Sequence, residues 1–152
     1  MTNIRPVTKA DADAWPAMRR ALWPEADAEE LRAEVTAFIV GEAKAHLPYC
    51  IFVAEQDGAL IGMLELSLRR YVDGCDGSPV PFIEAWFVAE DARRTGIGGA
   101  LVRAAEEWAI AQGYGEMASD ALLDNDVGHW AHAALGFEEV ERAVRFRKSL
   151  NR

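Results

Sequence analysis

The chain has 152 residues, 51% of them hydrophobic and 27% charged, which suits one soluble globular domain spanning residues 1–152. Twenty-five acidic residues against sixteen basic ones give a net charge of −9, which argues against a nucleic-acid binder, and no apolar run approaches the ~18 residues of a membrane span. No apolar signal core stands near the start, so a cytoplasmic protein is expected, and Cys50 and Cys75 lack metal-ligand spacing, so no metal is expected.

No internal repeat or low-complexity linker divides the sequence. "NIRPV" predicts a short strand, after which Thr8 can cap a helix over "KADADAWPAMRRALW", with Ala14, Met18, Ala21 and Leu22 at helical spacing. Pro24 breaks that helix. A second begins near Asp27 and carries Leu31, Val35, Phe38 and Ile39 at i, i+4, i+7 and i+8, until Pro48 ends the stretch. "YCIFVAEQDGALIGMLELSLRR" reads as a hairpin turning at Gln56, Asp57 and Gly58. The loop "YVDGCDGSPV" then leads into "PFIEAWFV", a nearly all-apolar strand of the kind buried on both faces. The helix after "RRTGIG" runs to about Gln112 with Leu101, Ala104, Ala105 and Trp108 on one side, and Gly113 closes it. "GEMASD" is a short strand, "NDVGHWAHAAL" a helix, and "FEEVERAVRFRKSL" a final strand with Val140, Val144 and Phe146 alternating with polar neighbours. The order β-α-α-β-β-β-α-β-α-β predicts an α/β (α+β) fold, a mixed sheet with helices on both faces.

That order places "RRTGIGGAL" at a strand-to-helix junction. A helix N-terminus offers unpaired N–H groups and the positive end of the helix dipole. Gly96, Gly98 and Gly99 clear side chains from those amides, and Arg93 and Arg94 add fork-shaped cationic donors. A P-loop would end in Gly-Lys-Ser/Thr, where this loop has Gly-Gly-Ala; a dinucleotide fingerprint needs a small residue where Leu101 stands. The Arg-x-x-Gly-x-Gly spacing favours a diphosphate.

"FVAEDARRTGIGGALVRAAEEWA" resembles the acetyl-CoA signature of the GNAT N-acetyltransferases, filled here by Arg93, Gly96 and Gly98, and the order of elements extends the resemblance over nearly the whole chain. "YVDGCDGSPVPFIEAWFV", "ASDALLDND" and "ALGFEEVERAVRFRKSL" narrow it to the short aminoglycoside 6′-N-acetyltransferases. The resemblance implies a GNAT fold with a mostly antiparallel sheet, acetyl-CoA as co-substrate, an aminoglycoside as the cationic partner, and a homodimer. It implies that the amides of Arg94, Gly96, Ile97, Gly98, Gly99 and Ala100 hold the CoA pyrophosphate. The strand end near Trp86 and Val88, together with Asn125, would then bond the pantetheine arm. Polyamines or other small amino metabolites are the alternative acceptors, since an acidic pocket suits them too.

Acetyl transfer to an amine needs a proton acceptor for the amine, stabilisation of the thioester oxygen and a proton for the departing thiolate. Glu84 lies mid-strand, on the face of Phe82, Trp86 and Val88 by strict alternation, and either pairs with an arginine or faces the substrate amine. Asp120 ends "EMASD"; Asp124 and Asn125 are better placed to cap the next helix, so Asp120 is the candidate base or amine anchor, and in the resembling enzymes it meets the 6′-amine. Glu141 matches a further acidic substrate contact. His132 stands where many GNAT enzymes carry the tyrosine that protonates the thiolate, and suits proton transfer near neutrality; His46 and His129 hold no such position. Trp23 and Tyr71 stand beside loops that should wall the substrate site, while Trp15 and Trp108 read as core. Arg145 falls where the related sequences often have an aromatic or apolar residue, and an arginine there would repel a polycation.

Overall fold

The computed structural model of the chain describes residues 1–42 and 50–151; His46 and the helix-ending Pro48 lie outside them. Five strands stand side by side in one sheet, in the order β1 (Thr2–Pro6), β2 (Cys50–Gln56), β3 (Ala59–Arg69), β4 (Val80–Val88) and β5 (Ala118–Ser119). The first four pair antiparallel and β5 joins β4 in parallel, which is the expected mixed, mostly antiparallel arrangement. The β2–β3 hairpin turns where Asp57 (φ 52°) and Gly58 (φ 78°) both take left-handed backbone, the geometry that matches strand twist.

Helices cover both faces. Alternation along β2 sends Ile51 and Val53 to one side, where Trp15 and Met18 of α1 (Ala14–Leu22) and Val35 of α2 (Ala28–Ile39) meet them. Phe52 and Ala54 point the other way, against Ile97, Leu101, Val102 and Ala105 of α3 (Ile97–Ala111). Leu101 is fully buried, a burial that stabilises by about 1.5–3 kcal/mol. After α3, β5 leads directly to α4 (Asp126–Ala134). Asp27 caps α2 as expected, its Oδ1 accepting from the amides of Glu29 and Glu30.

Three expectations change. The first helix is divided: a short 3₁₀ turn at Lys9–Asp11 precedes α1, which starts only at Ala14. Pro16 explains the break, because a proline fits the first turn of a helix, where N–H groups have no partner anyway, and not its interior. The buried residues of α1 are Trp15, Pro16, Met18 and Arg19, with Leu22 partly buried beside them, while Ala14 and Ala21 are exposed. Arg19 is hidden there because its guanidinium meets buried Glu65 on β3 at 3.0 Å and Glu34 on α2 at 2.7 Å, with Trp15 Nε1 also donating to Glu65. A buried carboxylate is tolerable only with such partners.

Finally, residues 138–151 are exposed and form no strand. A strand is stable only against a partner, and the adjoining edge, β5, is two residues long. Val140 instead packs on the loop after β3, so close to Gly74 that a Cβ there would lie 2.5 Å from Cγ2 of Val140.

Candidate active site

The cleft originates in a parting of two strands. β5 pairs with β4 only at Phe82–Ala118 and Ile83–Ser119, yet β4 continues to Val88. From Glu84 onward its edge toward β5 has no strand partner among the described residues, so backbone donors and acceptors line an opening. Ser119 and Asp120 stand at the apex of that opening, and the N-terminus of α3 stands at its mouth.

Local backbone geometry builds the mouth. Gly96 caps α3 at φ 85° and Arg94 takes φ 63°, an uncommon conformation for a residue with a side chain. By helix geometry the amides of Ile97, Gly98 and Gly99 have no acceptor within α3, whereas that of Ala100 donates to the Gly96 carbonyl. Ala100 is thus the one proposed cradle residue of α3 whose N–H is already used. The indole of Trp86 closes on this turn, donating to the Gly98 carbonyl at 3.2 Å, and a Cβ on Gly98 would lie 3.3 Å from the ring. Arg93 folds back so that Nε donates to the Val88 carbonyl at 2.8 Å, and the rest of its guanidinium stays exposed. Three amides and a helix dipole face one point, with Arg93 and Arg94 in the turn just before it, an arrangement suited to a diphosphate.

The carboxylates take different surroundings. A β-bulge between Glu65 and Leu66 of β3 shifts the register opposite residues 83–85 and breaks the alternation assumed for β4. Ile83 therefore packs in the same cluster as Trp86 and Val88, while Phe82 packs elsewhere with Val80 and Ala118. Glu84 stays on the side of Phe82 and does not share the face of Trp86 and Val88. Its Oε1 accepts from Ser67 at 2.5 Å and from Arg69 Nε at 2.8 Å, with Arg69 Nη2 donating to Oε2 at 2.8 Å. Burial pushes the Glu84 carboxyl up, but the hydrogen bonds of Arg69 and Ser67 outweigh it and hold it below the usual carboxylate range. Arg69 also lies 3.6 Å above the Phe82 ring and feels the charge of Asp120.

Asp120 is exposed, and Arg145 reaches it at 3.4 Å across the solvent-facing side of the opening. Asp120 is no helix cap: Asn125 caps α4, its side chain accepting from Gly128 N at 3.0 Å. That cap predicts that Asn125→Ala lowers stability by about 1 kcal/mol in thermal or urea unfolding. An accompanying rise in KM for acetyl-CoA would show that the side chain also bonds the cofactor arm.

His132 sits behind Ser119, with its ring edge-on to Trp86 at 5.3 Å and to Phe137 at 5.2 Å. Its Nδ1 lies 2.6 Å from the Gly128 carbonyl and its Nε2 2.7 Å from Ser119 Oγ. His129 is spent on the Leu122 carbonyl. Trp23 is partly buried against the α1–α2 side, under the Arg19 guanidinium. Tyr71 is exposed, its phenol pushed up by the neighbouring Asp73, and Glu141 on the exposed tail adds its charge there. Where β4 and β5 part, the structure thus sets Trp86 and His132 on one face of the sheet and Glu84, with Arg69, on the other, while Asp120 follows the end of β5 and Tyr71 lies near Glu141 at the surface. Cys50 is partly buried against the α3 side of the sheet, and desolvation pushes its thiol up to about 11.

Sequence reading missed Arg69, Ser119 and the Arg19–Glu65 pair. Arg69 and Glu84 are 15 residues apart, and only strand register makes them neighbours. The signal for Ser119 was alternation: next to Asp120 on a strand, it must face the opposite side, toward α4.

A profile described as the acetyltransferase (GNAT) family matches residues 15–137. The chain is 42% identical over 147 residues to an aminoglycoside N(6′)-acetyltransferase type 1 from Klebsiella aerogenes, covering 97% of this chain and 96% of that one. It is 44% identical to a protein of the same name from Serratia marcescens, over 91% of this chain and 92% of the other. Among solved structures it superposes on AAC(6′)-Iy in complex with the bisubstrate analogue CoA-S-monomethyl-acetylneamine, with a TM-score of 0.88, 35% identity and coverage of 98% and 99%. Arg-x-x-Gly-x-Gly at a helix start, strands that part beside it, and likeness along nearly the whole length agree: the chain belongs to the acetyltransferase (GNAT) family.

Proposed function

We propose that this protein transfers the acetyl group of acetyl-CoA to the 6′-amine of aminoglycosides, which would confer resistance to them. The observation that carries the reading is the parting of β4 and β5 beside the α3 N-terminus, with Trp86 joining the two through Gly98. The amides of Arg94, Gly96, Ile97, Gly98 and Gly99, with Arg93, would hold the pyrophosphate. The open edge near Trp86 and Val88 would accept the pantetheine arm. Relatives of the whole chain named for aminoglycosides support the acceptor.

In this reading Asp120 attracts the protonated amine and takes its proton, directly or through a water, while Glu84 supplies a fixed negative charge. No side-chain nucleophile is needed when the amine attacks the thioester itself. The test is acetyl-CoA-dependent thiol release against a panel of aminoglycosides and polyamines. Aminoglycosides should show the higher kcat/KM; equal or better turnover of polyamines would reverse the acceptor assignment.

Arg145 competes with a cationic acceptor for Asp120. Arg145→Ala should lower KM for a polycationic aminoglycoside about 3-fold with kcat little changed, because an exposed pair contributes weakly. Steady-state kinetics at low and high salt checks this, the gain shrinking as salt rises.

The supply of acetyl-CoA places such an enzyme in the cytoplasm. We further propose that it works as a homodimer. The exposed tail carries Val140, Val144, Phe146 and Leu150 beside the short β5 edge, and a second copy would cover them. Sedimentation equilibrium decides: a monomer at micromolar concentration would end that proposal.

A further inference from the structure

We propose that Ser119 is the hydroxyl through which His132 protonates the departing sulfur, the two residues forming one proton relay. The proposal rests on acetyl transfer taking place in this cleft.

Both ring nitrogens of His132 are engaged. A backbone carbonyl only accepts, so the 2.6 Å contact with Gly128 O requires a proton on Nδ1. Nε2, 2.7 Å from Ser119 Oγ, is the only other nitrogen, and the hydroxyl stands on it. Trp86 and Phe137 pack edge-on against the imidazole and fix its plane. No nitrogen is left to face the cleft, so a proton leaving the ring passes through Ser119. A hydroxyl suits this position because it both donates and accepts. Its place in the sheet suits it as well: Ser119 pairs with Ile83 at the last rung before β4 and β5 part.

The proton count closes. As the amine nitrogen bonds to the acetyl carbon, the carbon–sulfur bond breaks with its electron pair staying on sulfur. Ser119 gives its hydroxyl proton to that sulfur and takes the Nε2 proton of the doubly protonated His132. The ring is left neutral with its Nδ1 proton still on the Gly128 carbonyl, and it regains a proton from water. The acceptor ammonium loses two protons in forming the amide, one proton reaches sulfur, and one is released to solvent.

Two measurements test the relay. Imidazole ¹⁵N NMR of the protein without substrate, followed to a pH at which the ring is neutral, reads its tautomer directly. A proton on Nδ1 and an Nε2 resonance that moves in Ser119→Ala support the relay; a neutral ring protonated on Nε2 overturns it. In steady-state kinetics, Ser119→Ala should lower kcat about 30-fold, below a full general-acid contribution because a water can partly replace the hydroxyl. KM for acetyl-CoA should stay within about 2-fold, and Ser119→Thr should restore most of kcat. The double variant Ser119→Ala/His132→Asn should be no slower than the slower single variant. Wild-type kcat in Ser119→Ala, or losses that multiply in the double variant, overturns the relay. If aminoglycosides are not acetylated but another amine is, the acceptor assignment fails and the same variants are judged with that amine. If no amine is turned over, the NMR result alone decides.

Discussion

Gly98→Glu abolishes measurable binding of CoA while the protein stays folded. The substituted carboxylate would stand among the free amides of Ile97, Gly98 and Gly99, where the pyrophosphate is proposed to bind. It would bring like charge against phosphate and fill space that only a hydrogen now occupies. The new Cβ would also lie 3.3 Å from the Trp86 ring, so the indole must yield by a few tenths of an ångström. A loss of at least 100-fold in affinity, about 2.7 kcal/mol or more, is expected by isothermal calorimetry. Gly98→Ala is the control, since it meets Trp86 without adding charge, and it should retain much of the affinity. Equal affinities for wild type and Gly98→Glu would remove the phosphate cradle from the site.

Asp120→Asn lowers kcat/KM for an aminoglycoside by about 10²-fold or more, the range of a positioned general base. The amide keeps the size of the carboxylate and much of its hydrogen bonding, but loses its charge and basicity. The affinity for acetyl-CoA should hardly change, because the phosphates are proposed to bind at the other end of the cleft, at the α3 N-terminus. Glu84→Gln should weaken turnover less. Glu84 is already committed to Arg69 and Ser67, and those contacts keep its carboxyl ionised and poorly basic. Kinetics of both variants across pH separate the roles. A larger loss in Glu84→Gln would make Glu84 the base, and a wild-type pH profile in Asp120→Asn would leave Asp120 only a surface partner of Arg145.

The competition between local and distant interactions explains what could be read in advance. The α3 N-terminus was legible because its causes are contiguous: glycines that free the amides, arginines before them and an apolar stripe after them. Asp27 as a cap and Asp57–Gly58 as a turn were legible for the same reason. Arg19 was not. An arginine in a helix reads as solvated until a buried glutamate 46 residues away gives it a partner. The face of Glu84 was misjudged because one extra residue in a ladder inverts every side chain beyond it, and nothing nearby in sequence announces the bulge.

Residue type and spacing along the chain made legible the class of the fold, a helix start suited to an anion, and the acidic and imidazole groups available for chemistry. These follow from propensity, periodicity and residue type, which act over a few neighbours along the chain. The partners of those groups came from contacts between distant parts of the chain. Strand register gave Glu84 to Arg69, the end of the β4–β5 ladder left Asp120 at the apex of an opening, and the packing of α4 against β5 set His132 on Ser119. The tail shows the same division from the other side. Its alternating Val140, Val144 and Phe146 have the pattern of a strand, but pattern supplies only one side of a ladder, and β5 offers too short an edge to complete it.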